Sequence, residues 1–368
     1  MFKIELSNEQ SDQQFVTNKM NAKSPIVEIF SAVAFGEDTS KFDGKKVDAV
    51  MNRVKQLASQ ALAGDASAKA ELNAITRYAI EPNLLKAVQL FNFMGTFRQI
   101  GYADQPMMKT YKHDSLRANF QASRGDVPFA TTSWEEYAIN TQTISAGYAV
   151  NYREVQSGNL DRVAEGMQQV QTVMHNKAMA YVVHAMYKAI EEAEGVKFFN
   201  ETKGITKLAV DDTLKKIRHF GVPAILGDYS VVSQLNDLAG FKADPTDAKS
   251  TKLSEAVMNE IHRTGLLSTY KGSPVVELPN QYNTTALTAD GSNFQTYLPE
   301  GLLFFVPQGA VSPLQIFQRG GLTSMTGNDV VTGTELTRFD LEIGAGVAKG
   351  RAHEIGIIRD QNYEAPEA

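Results

Sequence analysis

Cysteine is absent from the 368 residues. That excludes disulfide scaffolding and thiolate metal sites, and it fits maturation in a reducing cytosol. Tryptophan occurs once, at Trp134, and histidine six times. Long apolar runs are also missing. The stretch Gly301–Val306, GLLFFV, is among the longest, and it is far too short to span a bilayer. No membrane partner is therefore expected. The first residues, MFKIELSNEQSDQQFVTNKM, contain no apolar core of the signal-peptide kind. Positive charge is not in excess: the formal net charge of −6 argues against the broad basic footprint of a nucleic-acid binder. No internal repeat or low-complexity segment is visible.

Motifs that carry chemistry are equally scarce. GAGVAKG at 344–350 superficially resembles a dinucleotide loop, but such a loop must open a helix inside a βαβ unit. Here RAHEIGIIRD follows, which is strand-like, so a glycine-rich turn between strands is the better reading. His175 and His184 are nine positions apart on one helical pattern and point to nearly opposite sides, so they do not chelate. The acid pairs Glu135–Glu136, Glu191–Glu192 and Asp211–Asp212 are sequence neighbours and do not share a face. They read as solvated charges. The RGD tripeptide at 124–126 reads as a loop-tip turn rather than an adhesion signal. No catalytic, cofactor-binding or metal-binding residue is assigned, and no enzymatic activity is expected.

What remains is an order of parts. The hydrophobic fraction of 43% and the length allow two or more core-bearing units. Residues 1–23 read as a polar arm. Residues 24–97 read as helical, beginning with Ser24 as N-cap and Pro25 at the first helical position. Pro106–His113 is extended. Ile144–Arg153 alternates, with Ile144, Ala146, Tyr148, Val150 and Tyr152 on one face. Between them lies a mostly polar ribbon, so the whole reads as a long hairpin, and a two-stranded hairpin is marginal by itself in water. Its aromatics Phe120, Phe129, Trp134 and Tyr137 cannot be buried in so thin a ribbon. They point to an interface. Arg117, Arg124 and Asp126 are the charged groups available there to a partner.

Residues 159–193 follow as one long helix of about 50 Å. Its stripe is Leu160, Val163, Met167, Val170, Met174, Ala178, Tyr181 and Ala185, widened by Val173, Val182, Met186 and Ile190. Gly166 within it suggests a bend or a close contact. From Gly204 short elements alternate: a strand at 222–226, a helix at 229–240 ending in glycine, a helix with Leu253, Val257, Met258 and Ile261 on one face, and a strand at 274–278. Alternating strands return in Leu336–Ile343.

This order resembles the major capsid proteins of tailed bacteriophages, with the Hong Kong 97-type fold. The residues that carry the likeness are the ribbon Gln105–Arg153 and the helix 159–193. The stretch RTGLLSTYKGSPVVELPNQY and the closing strands GLLFFVPQGAVSPLQIFQRGG and TELTRFDLEIGAGVAKGRAHEIGIIRD add to it. It covers the chain from about residue 80.

The resemblance implies an α+β fold in five parts. These are an N-terminal arm and helical region at 1–104, an extension loop at 105–153, a peripheral domain with the spine helix at 154–203, an axial α/β domain at 204–300, and closing strands at 301–368. It implies a structural subunit that self-assembles into hexamers and pentamers of an icosahedral head in the bacterial host cytoplasm. That head would enclose double-stranded DNA without sequence-specific binding, with scaffold, portal and decoration proteins as further partners. An encapsulin-like nanocompartment shell is the alternative. Some shells of this fold weld neighbours by an isopeptide bond from a lysine on the extension loop; here no lysine lies between Lys112 and Lys177.

Overall fold

The chain passes repeatedly between two units. The first comprises Met1–Gln89, Thr143–Lys177 and Gly320–Glu342; the second comprises Leu90–Gln142, Ala178–Arg319 and Ile343–Ala368. The computed structural model describes residues 24–34, 36–112, 120, 133–150, 161–238, 241–242, 251–252, 255–288, 290–308, 312–329 and 334–361. The arm 1–23, the tip of the ribbon, Tyr152 and Leu160 lie outside them.

In chain order the elements begin with helices α1 (Pro25–Ala34), α2 (Gly44–Leu62) and α3 (Ala66–Met94), then strands β1 (Thr96–Ile100), β2 (Met107–Lys112), β3 (Ser133–Ala138) and β4 (Gln142–Val150). The long helix α4 (Asp161–Glu191) leads to β5 (Phe198–Thr202), α5 (Lys207–Ile217), β6 (Val222–Gly227), α6 (Tyr229–Val232) and α7 (Gln234–Leu238). Next come β7 (Phe241–Lys242), β8 (Thr251–Lys252), α8 (Glu255–Thr264), β9 (Thr269–Tyr270), β10 (Ser273–Glu277), β11 (Tyr282–Leu287) and β12 (Phe294–Thr296). The chain closes with β13 (Leu302–Gln308), β14 (Leu314–Asp329), β15 (Thr334–Val347) and β16 (Gly356–Asp360).

The second unit is built on a six-stranded sheet of order β5–β16–β13–β6–β10–β9. β13 lies between antiparallel neighbours on both sides, and β6 and β10 are parallel. A central strand covered on both faces must be apolar throughout. Accordingly LLFFVP is buried from Leu302 to Pro307. Leu303 and Phe305 join Ile225, Ile358 and the inner faces of α5, α6 and α7 in one core. Helix α5 is capped by Thr206, whose side chain accepts from Ala209 N–H. It approaches β16 so closely that a Cβ on Gly356 would lie 2.6 Å from Thr213 Cγ2. Residues 229–240 were expected as one helix. Instead α6 and α7 are separated by a break at Ser233. There the Gln234 side-chain amide accepts from Ile205 N–H at 2.9 Å and donates back to Ser230 O of α6 at 2.9 Å. Helix α8 ends at Gly265, which has φ +78°, as expected. Its apolar face is shallower than expected: Val257 is partly buried, but Met258 is exposed.

In the first unit α1 packs on α2, and Arg53 of α2 pairs with Glu71 of α3 at 3.2 Å. Burial raises the Glu71 carboxyl pKa, and the Arg53 guanidinium opposes that only in part. β4 alternates as expected, with Ile144 buried, Ala146 and Tyr148 partly so, and Thr143, Ser145, Gly147 and Ala149 exposed. Phe339, Leu341 and Ile343 of β15 are buried, again as their spacing predicts. Gly166 is a close contact: a Cβ there would stand 3.1 Å from the Tyr148 ring.

The stripe on α4 departs from expectation. Met167, Val170, Met174 and Ala178 are buried, but Tyr181 and Ala185 are only partly so, and Val173 is exposed. Burial continues through Val182, Met186 and Ile190, which were expected to widen the stripe. Steps of four on a helix of 3.6 residues per turn advance the face by about 40° each, or about 160° from Met174 to Ile190. The stripe therefore winds, and the helix changes unit between Lys177 and Ala178.

Met174 is fully buried. Met174→Asp places an unpaired carboxylate there, which costs several kcal/mol or drives its pKa upward. The isolated subunit should lose that much stability in denaturant melts; an unchanged melt would contradict a buried stripe.

Candidate functional site

The ribbon expected at 105–153 has a different return strand from the one the sequence suggests. β2 pairs antiparallel with β3, from Met107 opposite Ala138 to Lys112 opposite Ser133. β4 does not close the hairpin. It stands at the end of a four-stranded sheet of order β1–β14–β15–β4. Its half-buried face needs a sheet to lie in, and the short polar pair could not supply one.

The two faces of the β2–β3 pair differ. Pro106, Met108 and Thr110 are buried on the inner side. Met107, Lys109 and Trp134 are exposed on the outer side. Lys109 Nζ bonds Glu136 across the strands at 2.6 Å and lies 4.8 Å from the centre of the Trp134 ring. Glu136 is therefore a cross-strand partner, whereas the sequence suggested a solvated charge. The only tryptophan is about half exposed, at 55%. Phe120, farther along the ribbon, is fully exposed. Arg117, Arg124, Asp126 and Phe129 lie outside the described residues.

Tyr137 was grouped with the interface aromatics, but it faces inward. Its hydroxyl accepts from the backbone N–H of Lys349 at 2.8 Å. The same oxygen stands 2.8 Å from Met108 Sδ and 3.5 Å from Val347 O. Lys349 Nζ covers its ring at 4.7 Å. Ile139 N–H donates to Pro106 O at 2.9 Å, and Tyr181 OH reaches Asn140 O at 3.4 Å. The base of the ribbon is thus fixed within the second unit.

GAGVAKG contributes to that base. It is the end of β15, with the turn confined to Lys349 and Gly350, rather than a turn throughout. A Cβ on Gly344 would lie 3.1 Å from Thr141 Cγ2 and 3.3 Å from Asn140 O. The glycine lets the two backbones approach.

Within the first unit, Arg338 of β15 donates to Ser145 Oγ of β4 at 2.9 Å and to Asp340 Oδ1 at 2.8 Å. Burial alone would raise the Asp340 carboxyl, but hydrogen bonds from Ser145 and Arg338 outweigh it and hold its pKa below the usual value. Among the described residues no group of three or more His, Asp or Glu is placed to hold a metal ion. No described helix is long and apolar enough to cross a membrane.

Replacing Tyr137 by Phe removes the acceptor for the Lys349 N–H. That should cost about 1–2 kcal/mol of subunit stability, read as a lower melting midpoint. A midpoint equal to the parent's would show that Tyr137 does not anchor the base.

The family model described as "SPbeta prophage-derived putative capsid protein YonB" matches residues 13–359. It takes in the helices before residue 80, which the sequence resemblance did not cover. No curated protein matches the chain. Similar solved structures include the capsid of an empty GTA particle, at 11% identity and TM-score 0.50, covering 74% of this chain and 89% of that one. The capsid of a native GTA particle gives 10% identity and TM-score 0.50, with 74% and 90% covered. A virus-like particle from Pyrococcus furiosus gives 14% identity and TM-score 0.45, with 76% and 97% covered. The two GTA-particle structures carry the shared fold, the α+β architecture of Hong Kong 97-type capsid proteins.

Proposed function

The chain belongs to the YonB family of prophage-derived capsid proteins, and from that premise we propose that it builds a closed icosahedral shell of hexamers and pentamers around double-stranded DNA. Its role is structural, with no chemical step. The observation that carries this reading is the half-exposed Trp134 on a two-stranded ribbon whose base is fixed. A neighbouring subunit covers that outer face, and modest contacts are multiplied by the number of copies in a shell. The net charge of −6 suits a container that does not grip phosphates. Assembly takes place in the host cytoplasm, with scaffold, portal and decoration proteins as candidate partners.

Electron microscopy of the expressed protein tests the shell, and nuclease protection tests its contents. Nuclease-resistant DNA inside particles purified from infected or induced cells is the expected result. Particles filled with a cargo protein and free of DNA would favour an encapsulin-like compartment instead.

Deleting Ala118–Ser133 should leave a soluble, folded subunit that forms no closed particles. Normal particles from this variant would show that the ribbon is not needed for assembly.

The shell should be held without covalent links. Cysteine is absent, and no lysine lies between Lys112 and Lys177. Lys109, at the base, is engaged with Glu136 and Trp134. Particles boiled in denaturing detergent should release a single band near 40.4 kDa. A ladder of multimers would reveal a linking chemistry that these residues do not provide.

A further inference from the structure

Within the second unit β11 and β12 form a two-stranded sheet of their own among the described residues. Asn280 fixes its base: the side chain donates to Leu298 O at 3.0 Å and accepts from Leu298 N–H at 2.9 Å. Thr288 closes the far end, its N–H donating to Asn293 O at 2.9 Å. The ladder between is irregular. Tyr282 opposes Thr296 and Asn283 opposes Gln295, but Leu287 then opposes Phe294. In an unbroken strand Tyr282 and Leu287, five positions apart, would point to opposite faces. The extra residues of β11 remove that conflict. There Asn283 Oδ1 accepts from Thr285 N–H at 3.2 Å and from Thr285 Oγ1 at 2.6 Å. Phe294 and Thr296 are two apart on β12 and share a face, so their partners Leu287 and Tyr282 share it too. Tyr282, Leu287 and Phe294 are all exposed.

Charge is nearly missing from this hairpin. From Gln281 to Leu298 the only charged side chain is Asp290, in a chain of which 21% of residues are charged. Asp290 accepts from Ser292 Oγ and from Thr288 Oγ1, each at 2.5 Å, and these bonds pull its pKa down to about 2. Its carboxylate is thus satisfied inside its own loop. A different protein could be matched by charges of either sign. A surface that meets its own copy is more constrained, because a charge placed near its equivalent meets its like. Apolar and neutral polar side chains tolerate that arrangement, and loss of charge marks the core of an interface.

We propose that the Tyr282–Leu287–Phe294 face of the β11–β12 hairpin packs against the same hairpin of a second copy of the chain, as a contact separate from that of the ribbon. This rests on the shell reading above, in which rotation axes bring equivalent surfaces together.

Opposite charges on two populations test it. Phe294→Lys and Phe294→Glu are prepared separately. The site is exposed, so each isolated subunit should melt like the parent. Assembled alone, each should give at least about tenfold fewer particles than the parent, because like charges meet. Mixed in equal amounts before assembly, the two should recover particles well above either alone. Normal yield from either population alone would overturn the proposal. So would a mixture that recovers nothing, which would put another surface or another protein on the hairpin. Leu287→Lys and Leu287→Glu, at a second exposed site, repeat the comparison if a variant at 294 melts below the parent.

The cysteine-free background adds a readout that involves no charge. Tyr282→Cys, Leu287→Cys and Phe294→Cys are each assembled alone and mildly oxidised. At least one should give a dimer at twice the monomer mass on a non-reducing gel, since equivalent positions of touching hairpins come within disulfide range. Particles that yield no dimer from any of the three would overturn the proposal. If the unaltered chain forms no particles, the shell reading fails first, and this contact with it. That failure is distinguishable from particles that form but neither cross-link nor respond to charge.

Discussion

Strands β2 and β3 form a pair with no third strand beside it among the described residues. Such a pair has two faces and no interior. Here one face is covered by the subunit that bears it, through Met108 and Tyr137. The other face carries Met107 and Trp134, and nothing in the same pair can bury them. Burying apolar area is worth about 25 cal/mol per Å², and a tryptophan offers roughly 150–250 Å². The free subunit leaves part of that stabilisation unrealised. In the shell proposed above, the next subunit supplies the missing surface.

The remaining architecture holds that ribbon in place. The six-stranded sheet and α5 form a core that needs no partner, with β13 buried on both sides. Tyr137 ties the ribbon to the end of β15, and Gly344 lets the chains approach where they meet. A fixed base limits the directions in which the ribbon projects. Less conformational entropy is then lost when a neighbour engages it. Local packing in the subunit thus becomes geometry in the assembly.

Features set by local pattern were legible in the sequence. VPAIL reads as a buried strand, and all of it but Val222 is buried. The alternation at Ile144–Tyr148 and at Phe339–Ile343 predicts which side chains turn inward. The pairing partner of β2 was not legible, because a period of two shows that a strand has two faces but not which strand lies beside it. The role of Tyr137 was hidden for a related reason. Its partner Lys349 is 212 positions away, and an aromatic on a thin ribbon looks the same whether it faces in or out. On α4, an unchanging apolar face was assumed from spacings of three and four. The observed steps of four rotate the buried face, and only the surroundings of each half decide where it points. Of the contact residues expected from the sequence, Trp134 and Phe120 are exposed. Glu136 and Lys109 at the same base emerged only from strand register.

The claim that a neighbour covers the outer face of the ribbon can be tested with Trp134. As the only tryptophan it reports without interference, and in the single subunit it is about half exposed. Its fluorescence should be measured during assembly, with particle formation followed by electron microscopy in the same samples. The emission maximum should move to shorter wavelength as particles appear, and quenching by iodide should fall. An emission maximum and quenching that stay constant while closed particles form would contradict the account.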